Sequence, residues 1–393
     1  MSVVVPAVLA SPFRPFGLAG AAYGVALVAA WVAALAGVDA VAAPPGWHGH
    51  EMLLGFAGAI VCAIALTALP GWAGTREVSG GALAALVALW ALARAAFWAQ
   101  ATLSPAIAAA AAAALWVALA VLTGVQVARL ADRRWWLLPV LFAALAAGAA
   151  LAAAGDLRTG LALVAHVLAL LFALAAGVFV PVFTRTHLRG RGEAVPAAGA
   201  RLDTAAIGAL VLLAGADLAA APRWLVAGAA LAACVLHALR LLRWRGWRTF
   251  DAPLLWTLHA GYAWLVAALL LRVLAEAGVA GAQRAWLHAF TVGALGSAMI
   301  GLLTRVVLRH TGRPLVVGGA ARAVFLLVQV AAALRVAGAA LDGGTAWPVA
   351  SGAAWVAAFA LYLHAYAPFL LAPSVPRARS PLGLDSRPPA DAC

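Results

Sequence analysis

Charge is what this 393-residue chain has least of: Asp, Glu, Lys and Arg together make up 10% of it, against roughly a quarter in an ordinary soluble domain. Lysine is absent altogether, so all 26 basic residues are arginines. The formal charge of +13 therefore does not mark a nucleic-acid-binding face. The arginines fall between apolar runs, where they bias the orientation of membrane segments. Cysteine is scarce and dispersed; Cys62, Cys234 and Cys393 form no spaced pair, which excludes a disulfide framework or a cysteine-based metal site. A basic leader segment is also missing, so no cleaved signal peptide is expected and the first apolar helix would direct insertion. Nothing resembles a Walker loop, a nucleophile elbow or an HExxH zinc site.

Apolar sequence fills the rest. Hydrophobic residues account for 66% of the chain and the mean hydropathy is +1.02. The runs are continuous rather than alternating, which excludes a β-barrel and predicts an all-α, polytopic membrane bundle. Twelve spans are expected, at roughly 17–37, 51–70, 80–98, 105–128, 135–154, 160–183, 204–221, 223–242, 253–275, 285–304, 316–340 and 347–371. They form a single transmembrane domain over residues 1–373, followed by a Pro/Arg/Ser-rich tail, 374–393, expected to be disordered and cytoplasmic.

Arginine placement sets the orientation. With both termini cytoplasmic, the inside loops carry Arg76, Arg129, Arg133, Arg134, Arg185, Arg189, Arg191, Arg201, Arg240, Arg243, Arg245, Arg248, Arg305, Arg309 and Arg313. The outside loops hold only Arg158, Arg223, Arg284 and Arg335, as the positive-inside rule requires. The bacterial inner membrane is the expected location.

Ionisable residues inside a membrane are costly, so nine histidines in this setting point to function. On the twelve-span map His48, His50, His166 and His288 reach a similar depth near the outer ends of helices 2, 6 and 10. His259 and His364 fall in the inner halves of helices 9 and 12. His187, His237 and His310 fall at or near the cytoplasmic surface. Convergence of three helices at one depth is what a site built inside a bundle needs.

In WHGHEM, Trp47 to Met52, the two histidines are two residues apart and face different sides of a helix. Two readings stand: a ligand pair serving two environments, or an interfacial Trp/His belt with Glu51 favouring the helix start. His288 opens helix 10, where Gly293, Gly296, Ser297 and Gly301 permit close approach of a helix or a flat macrocycle. His166 alone reads as a hydrogen-bonded bundle residue or as a ligand. Arg94 and Arg272 near the outer ends of helices 3 and 9 could face an anionic ligand, while Glu276 offers Arg272 an i,i+4 ion pair.

Four segments carry a resemblance to a known family: SPFRPFGLAG (Ser11 to Gly20), WHGHEMLLGFAGAIVCAIALTALPGWAG (Trp47 to Gly74), VFVPVFTR (Val178 to Arg185) and WLHAFTVGALGSAMIGLLTRVVLRHTGRPL (Trp286 to Leu315). They resemble, in order, segments of the NnrS family of bacterial membrane proteins of the nitric oxide response. The resemblance implies twelve helices and bound haem and copper, with nitric oxide a possible ligand and membrane lipid the surrounding partner. It prescribes no agreed ligand set. The expected arrangement is His50 and His288 on haem iron, with His48 and His166 as copper or alternative haem ligands and Arg94 and Arg272 near the cofactor. The placement on helices 2, 6 and 10 is also similar to haem-copper oxidases and nitric oxide reductases, but helix 7 has no histidine, which argues against a full oxidase-type site.

Two other functions compete. A transporter of a metal, haem or an anion would need buried carboxylates, and the sequence places Glu51 and Glu276 only at the outer edge; no convincing internal repeat is apparent either. A non-catalytic assembly factor or scaffold would bind no metal. Whether a reaction is catalysed is not decided by these residues.

Overall fold

The computed structural model describes residues 6–38, 43–130, 133–193 and 199–376. The expected disordered tail and Cys393 lie almost entirely or entirely outside them, while Cys62 and Cys234 are free thiols. Long Ala/Leu runs without interruption fold into twelve helices, and no strand occurs among the described residues. These are α1 (Phe13–Leu35), α2 (Trp47–Ala73), α3 (Gly80–Trp98), α4 (Pro105–Val127), α5 (Leu137–Ala153) and α6 (Leu157–Gly190). The second half comprises α7 (Ala200–Leu218), α8 (Arg223–Arg243), α9 (Pro253–Glu276), α10 (Ala282–His310), α11 (Gly319–Ala340) and α12 (Ala346–Leu371).

Ten of the twelve are long and apolar enough to cross a membrane. The exceptions are α5, which has 17 residues, and α7, whose ends carry Arg201, Asp203 and Asp217. Helix boundaries follow local chemistry. Ser104 accepts from the Ile107 backbone amide ahead of Pro105, and Asp156 accepts from that of Thr159 at the start of α6. Gly74 ends α2 in the left-handed conformation, at φ 64°. At 34 residues α6 exceeds the expected span; a helix of that length is ~50 Å long against a hydrocarbon core of ~30 Å, so its last turns project beyond the apolar layer.

The most deeply buried spans are α2 and α10. Each widens into a π-helix for seven residues, Glu51–Ala57 and Ala289–Leu295, immediately after His50 and His288. This correspondence extends to the neighbours. A Cβ on Gly20 of α1 would meet Ala59 and Ile60 of α2, and one on Gly261 of α9 would meet Ser297 and Ala298 of α10. Gly55 makes room for Tyr23 and Gly293 for Trp264; Gly58 receives Trp116 of α4 and Gly296 receives Trp355 of α12. Thus α1–α4 and α9–α12 are two copies of one four-helix unit, each matching pair being separated by nearly the same length of chain. The sequence reading found no such repeat, because only scattered glycines and one histidine mark it.

At the end opposite the outer histidines the first and last helices are tied together. Arg14, 2% exposed, donates to the carbonyls of Leu370 at 2.8 Å and Ala372 at 2.6 Å, and to Ser374 at 2.9 Å. Carbonyls at a helix C-terminus lack partners within the helix, and this guanidinium supplies them. Ser11 donates to Glu77 in the α2–α3 loop, where burial pushes the Glu77 carboxyl above the usual carboxylate range. Both described chain ends therefore lie on one face, as an even number of spans demands.

A second polar lock sits in the inner half of the α6–α9 region. Arg240 donates to Asp203 at 2.6 Å, to the Ala173 carbonyl at 2.9 Å and to the Tyr262 hydroxyl at 2.9 Å. His237 contacts the same hydroxyl at 2.6 Å and is 0% exposed, so the expected surface location of His237 is corrected: α8 turns it into the bundle. A Cβ on Gly177 would overlap the Arg240 guanidinium, which explains the glycine at that point of α6.

Helices α5 and α6 meet across glycine. A Cβ on Gly160 would stand 2.5 Å from the Ala152 amide nitrogen and 2.6 Å from the Gly148 carbonyl, atoms that cannot step aside. Gly160→Leu is expected to destabilise the bundle by about 1–3 kcal/mol or more through forced separation of the pair. Gly190→Ala, in open space, serves as the control and should leave the unfolding midpoint in detergent unchanged.

Candidate functional site

Three stations of imidazole and guanidinium ring the end of the bundle opposite the described chain ends. The first joins α2 and α3. Starting α2 at Trp47, rather than after His50 as the sequence suggested, puts both histidines of WHGH inside the first turn. The His50 ring lies flat on Phe97, with centroids 3.7 Å apart and planes 7° apart. Its Nδ1 stands 2.7 Å from Glu51 Oε1, and Arg94 donates to the same oxygen at 3.1 Å. Tyr23 donates to the other oxygen of Glu51 and in turn accepts from the Trp98 indole at 3.2 Å. A carboxylate against Nδ1 makes that nitrogen the donor and leaves the lone pair on Nε2. His50 Nε2 is buried and has no hydrogen-bond partner among the described residues.

Glu51 is 0% exposed. The expectation that carboxylates stay at the outer edge is thus corrected: Glu51 lies at the outer end but wholly inside, because three donors satisfy it.

The second station joins α6, α7 and α9. His166 Nε2 contacts Asp217 Oδ2 at 2.8 Å, and Arg272 donates to the other Asp217 oxygen at 2.6 Å and to Glu276 at 3.0 Å. The i,i+4 pair therefore forms, but the partner on α7 is the shorter contact. The Arg272 guanidinium also covers Trp286 at 5.0 Å. His166, Arg272, Trp286 and Phe290 border a cavity of about 460 Å³.

The third station lies between α1, α2 and α10–α12. His48, His288 and Arg335 line one partly open cavity of about 770 Å³, opening included, which Trp31, Phe56 and Trp355 also border. The His48 ring stacks on Trp31, centroids 4.4 Å apart at 20°, and the Arg335 guanidinium sits 5.3 Å from the centre of the same indole. The two histidines and Arg335 stand within electrostatic range of one another. Among the described residues His288 has no hydrogen-bond partner, His48 Nδ1 is buried without one, and Arg335 has no carboxylate. Thr291 and Ser351, also on the wall, give their hydroxyl protons to the carbonyls of Leu287 and Ala331.

The sequence-derived residues thus separate. His48 and His288 share a cavity; His50 faces Arg94 instead, and His166 faces Arg272 at another station. His50, expected beside His288 on haem iron, lies outside the cavity that His288 lines, and His166, expected as a copper or alternative haem ligand, borders a separate one. Helix α10 begins at Ala282, three residues before the expected 285, so His288 lies six residues into it rather than at its start. Gly293, Gly296 and Gly301 admit Trp264, Trp355 and Thr257, which is helix packing rather than a macrocycle cradle. The inner histidines do not meet either: His259 contacts Thr184 at 2.9 Å between α6 and α9, while His364 is exposed on α12. Among the described residues no three His, Cys, Asp or Glu side chains are grouped to hold a metal ion.

Sequence reasoning missed Arg335, Trp31, Tyr23 and Asp217. Arg335 had been counted with the outer-loop arginines although the expected span 316–340 contains it; it sits half-buried on α11 and lines the third cavity. The larger apolar cavity between α2, α5, α6 and α10, about 1010 Å³ and bordered by residues such as Leu69, Phe142 and Leu302, offers no ionisable group.

A bundle of apolar helices with buried imidazole and guanidinium groups at one end defines a multi-pass membrane protein carrying an internal polar site. Its family is shown by direct comparison: the sequence pattern described as NnrS protein matches residues 7–374, and the chain belongs to the NnrS family. No curated protein matches it.

Proposed function

We propose that this chain is a haem-binding protein of the bacterial inner membrane acting in the nitric oxide and nitrosative-stress response or in denitrification, with copper as a second metal. The observation that carries the reading is the cavity in which His48 of α2 and His288 of α10 present unpartnered imidazoles. His48 and His288 would hold haem iron here, since imidazole suits it and one or two such side chains suffice. The donor set therefore fits haem better than a copper centre of three protein ligands. Copper is left to His50, whose Nε2 is free and whose Nδ1 is oriented by Glu51.

Bound haem would supply an iron able to take a diatomic ligand such as nitric oxide. The chain's own residues hold and shield it. Trp31 stacks on the His48 ring, and Val28, Phe56 and Trp355 give the cavity apolar walls. The test is an absorption spectrum and elemental analysis of protein purified from haem-replete cells. A Soret band with stoichiometric iron is the expected result; a colourless protein that also fails to retain added haemin would overturn it.

Transport remains the second reading, favoured now by the buried carboxylate of Glu51. Its pairing with Arg94 and Tyr23 opposes easy proton exchange, so vesicles under an imposed ion gradient should show no coupled uptake of metal or small anion. A metal-free scaffold has no observation in its favour.

The arginine distribution supports a cytoplasmic position for both termini. Reporter fusions after Arg76, Arg134, Arg191 and Arg248 should all read cytoplasmic. A periplasmic signal at two of them would reverse the orientation and move the three stations to the other side.

A further inference from the structure

Two of the three stations contain the same chemical sentence: imidazole, carboxylate, guanidinium. It reads His50–Glu51–Arg94 at one, with contacts of 2.7 and 3.1 Å, and His166–Asp217–Arg272 at the other, with contacts of 2.8 and 2.6 Å. In each, one carboxylate neutralises the guanidinium and accepts from the ring. At the third station His288 and Arg335 are present and the carboxylate is missing.

The four-helix repeat shows why. His50 and His288 hold the same place, each directly before a seven-residue π-helix. Arg94 of α3 and Arg335 of α11 correspond in the same way. Glu51 opens the first π segment; Ala289 opens the second. Where the first unit carries its own carboxylate, the second carries a methyl group beside a cavity of about 770 Å³. Arg335 is half-buried, and partly desolvating a guanidinium without a counter-charge is costly; the contact the structure gives it is the Trp31 ring. The indole nitrogen of Trp355, on the wall of the same cavity, is a buried donor without a partner among the described residues. Every unpaired hydrogen-bonding group facing this space is a donor or an imidazole.

We propose that the third station binds an external carboxylate, or an equivalent planar oxyanion, held by the Arg335 guanidinium beside His288. Glu51 shows what the ligand looks like: a planar pair of oxygens between a ring nitrogen and a guanidinium. The ligand can be a free small anion or the carboxylate of a larger molecule. The inference stands on the charge pattern and holds with or without a metal at His48 and His288.

Calorimetric titration of the full-length, metal-free protein in detergent tests it, with two probes at matched ionic strength. Sodium acetate stands for a free anion and metal-free protoporphyrin IX for a large dicarboxylate. Wild type should bind at least one of them saturably, and chloride should not substitute. Arg335→Gln should weaken that binding by roughly 10- to 100-fold, the loss expected for a charged hydrogen bond. Arg335→Lys should restore part of it. Ala289→Glu, which supplies the internal carboxylate, should abolish binding while leaving Arg335 in place; should that variant not fold, the Gln and Lys pair decides. Acetate binding lost in Arg335→Gln supports a free anion, and binding of the porphyrin alone supports a larger carboxylate. Equal binding by wild type and Arg335→Gln, or none by wild type, overturns the proposal. Haem content of each variant as purified, measured before metal removal, reports on the metal reading separately, since Arg335 is not one of its ligands.

Discussion

Removing both imidazoles of the third station, in His48→Ala/His288→Ala, is expected to reduce haem retained after purification to background. The two rings are the free nitrogen bases of this cavity: Arg335 cannot coordinate, the hydroxyls of Thr291 and Ser351 are bonded elsewhere, and the Met52 thioether on the wall is a weaker donor than imidazole. Either single variant should keep a weakened band at a shifted wavelength, because one imidazole remains. Substituting His50 is the informative contrast. It faces Phe97 and Glu51, outside the cavity, so His50→Ala should leave the position of the Soret maximum unchanged and lower copper instead. Spectra of membranes normalised to inserted protein provide the measurement. A full-strength band in the double variant would place the iron elsewhere.

The second large effect is on stability. Glu51→Ala would leave the Arg94 guanidinium and the His50 ring buried without their shared acceptor, and Tyr23 without its own. Breaking one side of a buried ion pair costs about 3–5 kcal/mol, more than the intact pair contributes net. Arg94→Leu alone should cost a similar amount, since it strands the Glu51 charge. Replacing both together, Glu51→Leu/Arg94→Leu, should recover much of the loss, as an apolar pair of similar volume needs no desolvated charge. Unfolding in detergent by denaturant, fitted for all three variants, gives the coupling. Additive losses would show that the two residues do not act as a unit.

The fold was legible because it is dictated by composition. Apolar runs long enough to cross a bilayer cannot satisfy their backbone except as helices, and the twelve expected spans all appear. Helix ends shifted where local chemistry overrode hydropathy: α2 takes in the whole of WHGH because Gly46 at φ 70° turns the chain just before it. The ingredients of the site were legible too, as costly residues in a place where cost implies purpose. Their grouping was not. Which face a histidine presents depends on rotation about the helix, and the π segments alter that rotation in the very turns that follow His50 and His288. No hydropathy pattern encodes a π turn. Asp217 was overlooked because a carboxylate near a helix end looks like a surface charge until its partners, on α6 and α9, are known.

Arg14 has a consequence for how the chain is made. Its acceptors at Phe369, Leu370 and Ala372 lie 355 to 358 residues downstream, so they do not exist when α1 leaves the ribosome. At synthesis rates of 5–20 residues per second the delay is roughly 20–70 s. Throughout that time α1 holds a guanidinium whose resting place has not been translated, which favours keeping its start at the membrane surface, hydrated and open. The bundle closes on itself only when α12 arrives. A chain truncated before Phe369 would contain every histidine and every station described above, yet it would lack the clasp, and the cell's quality control would meet it as an unfinished ring.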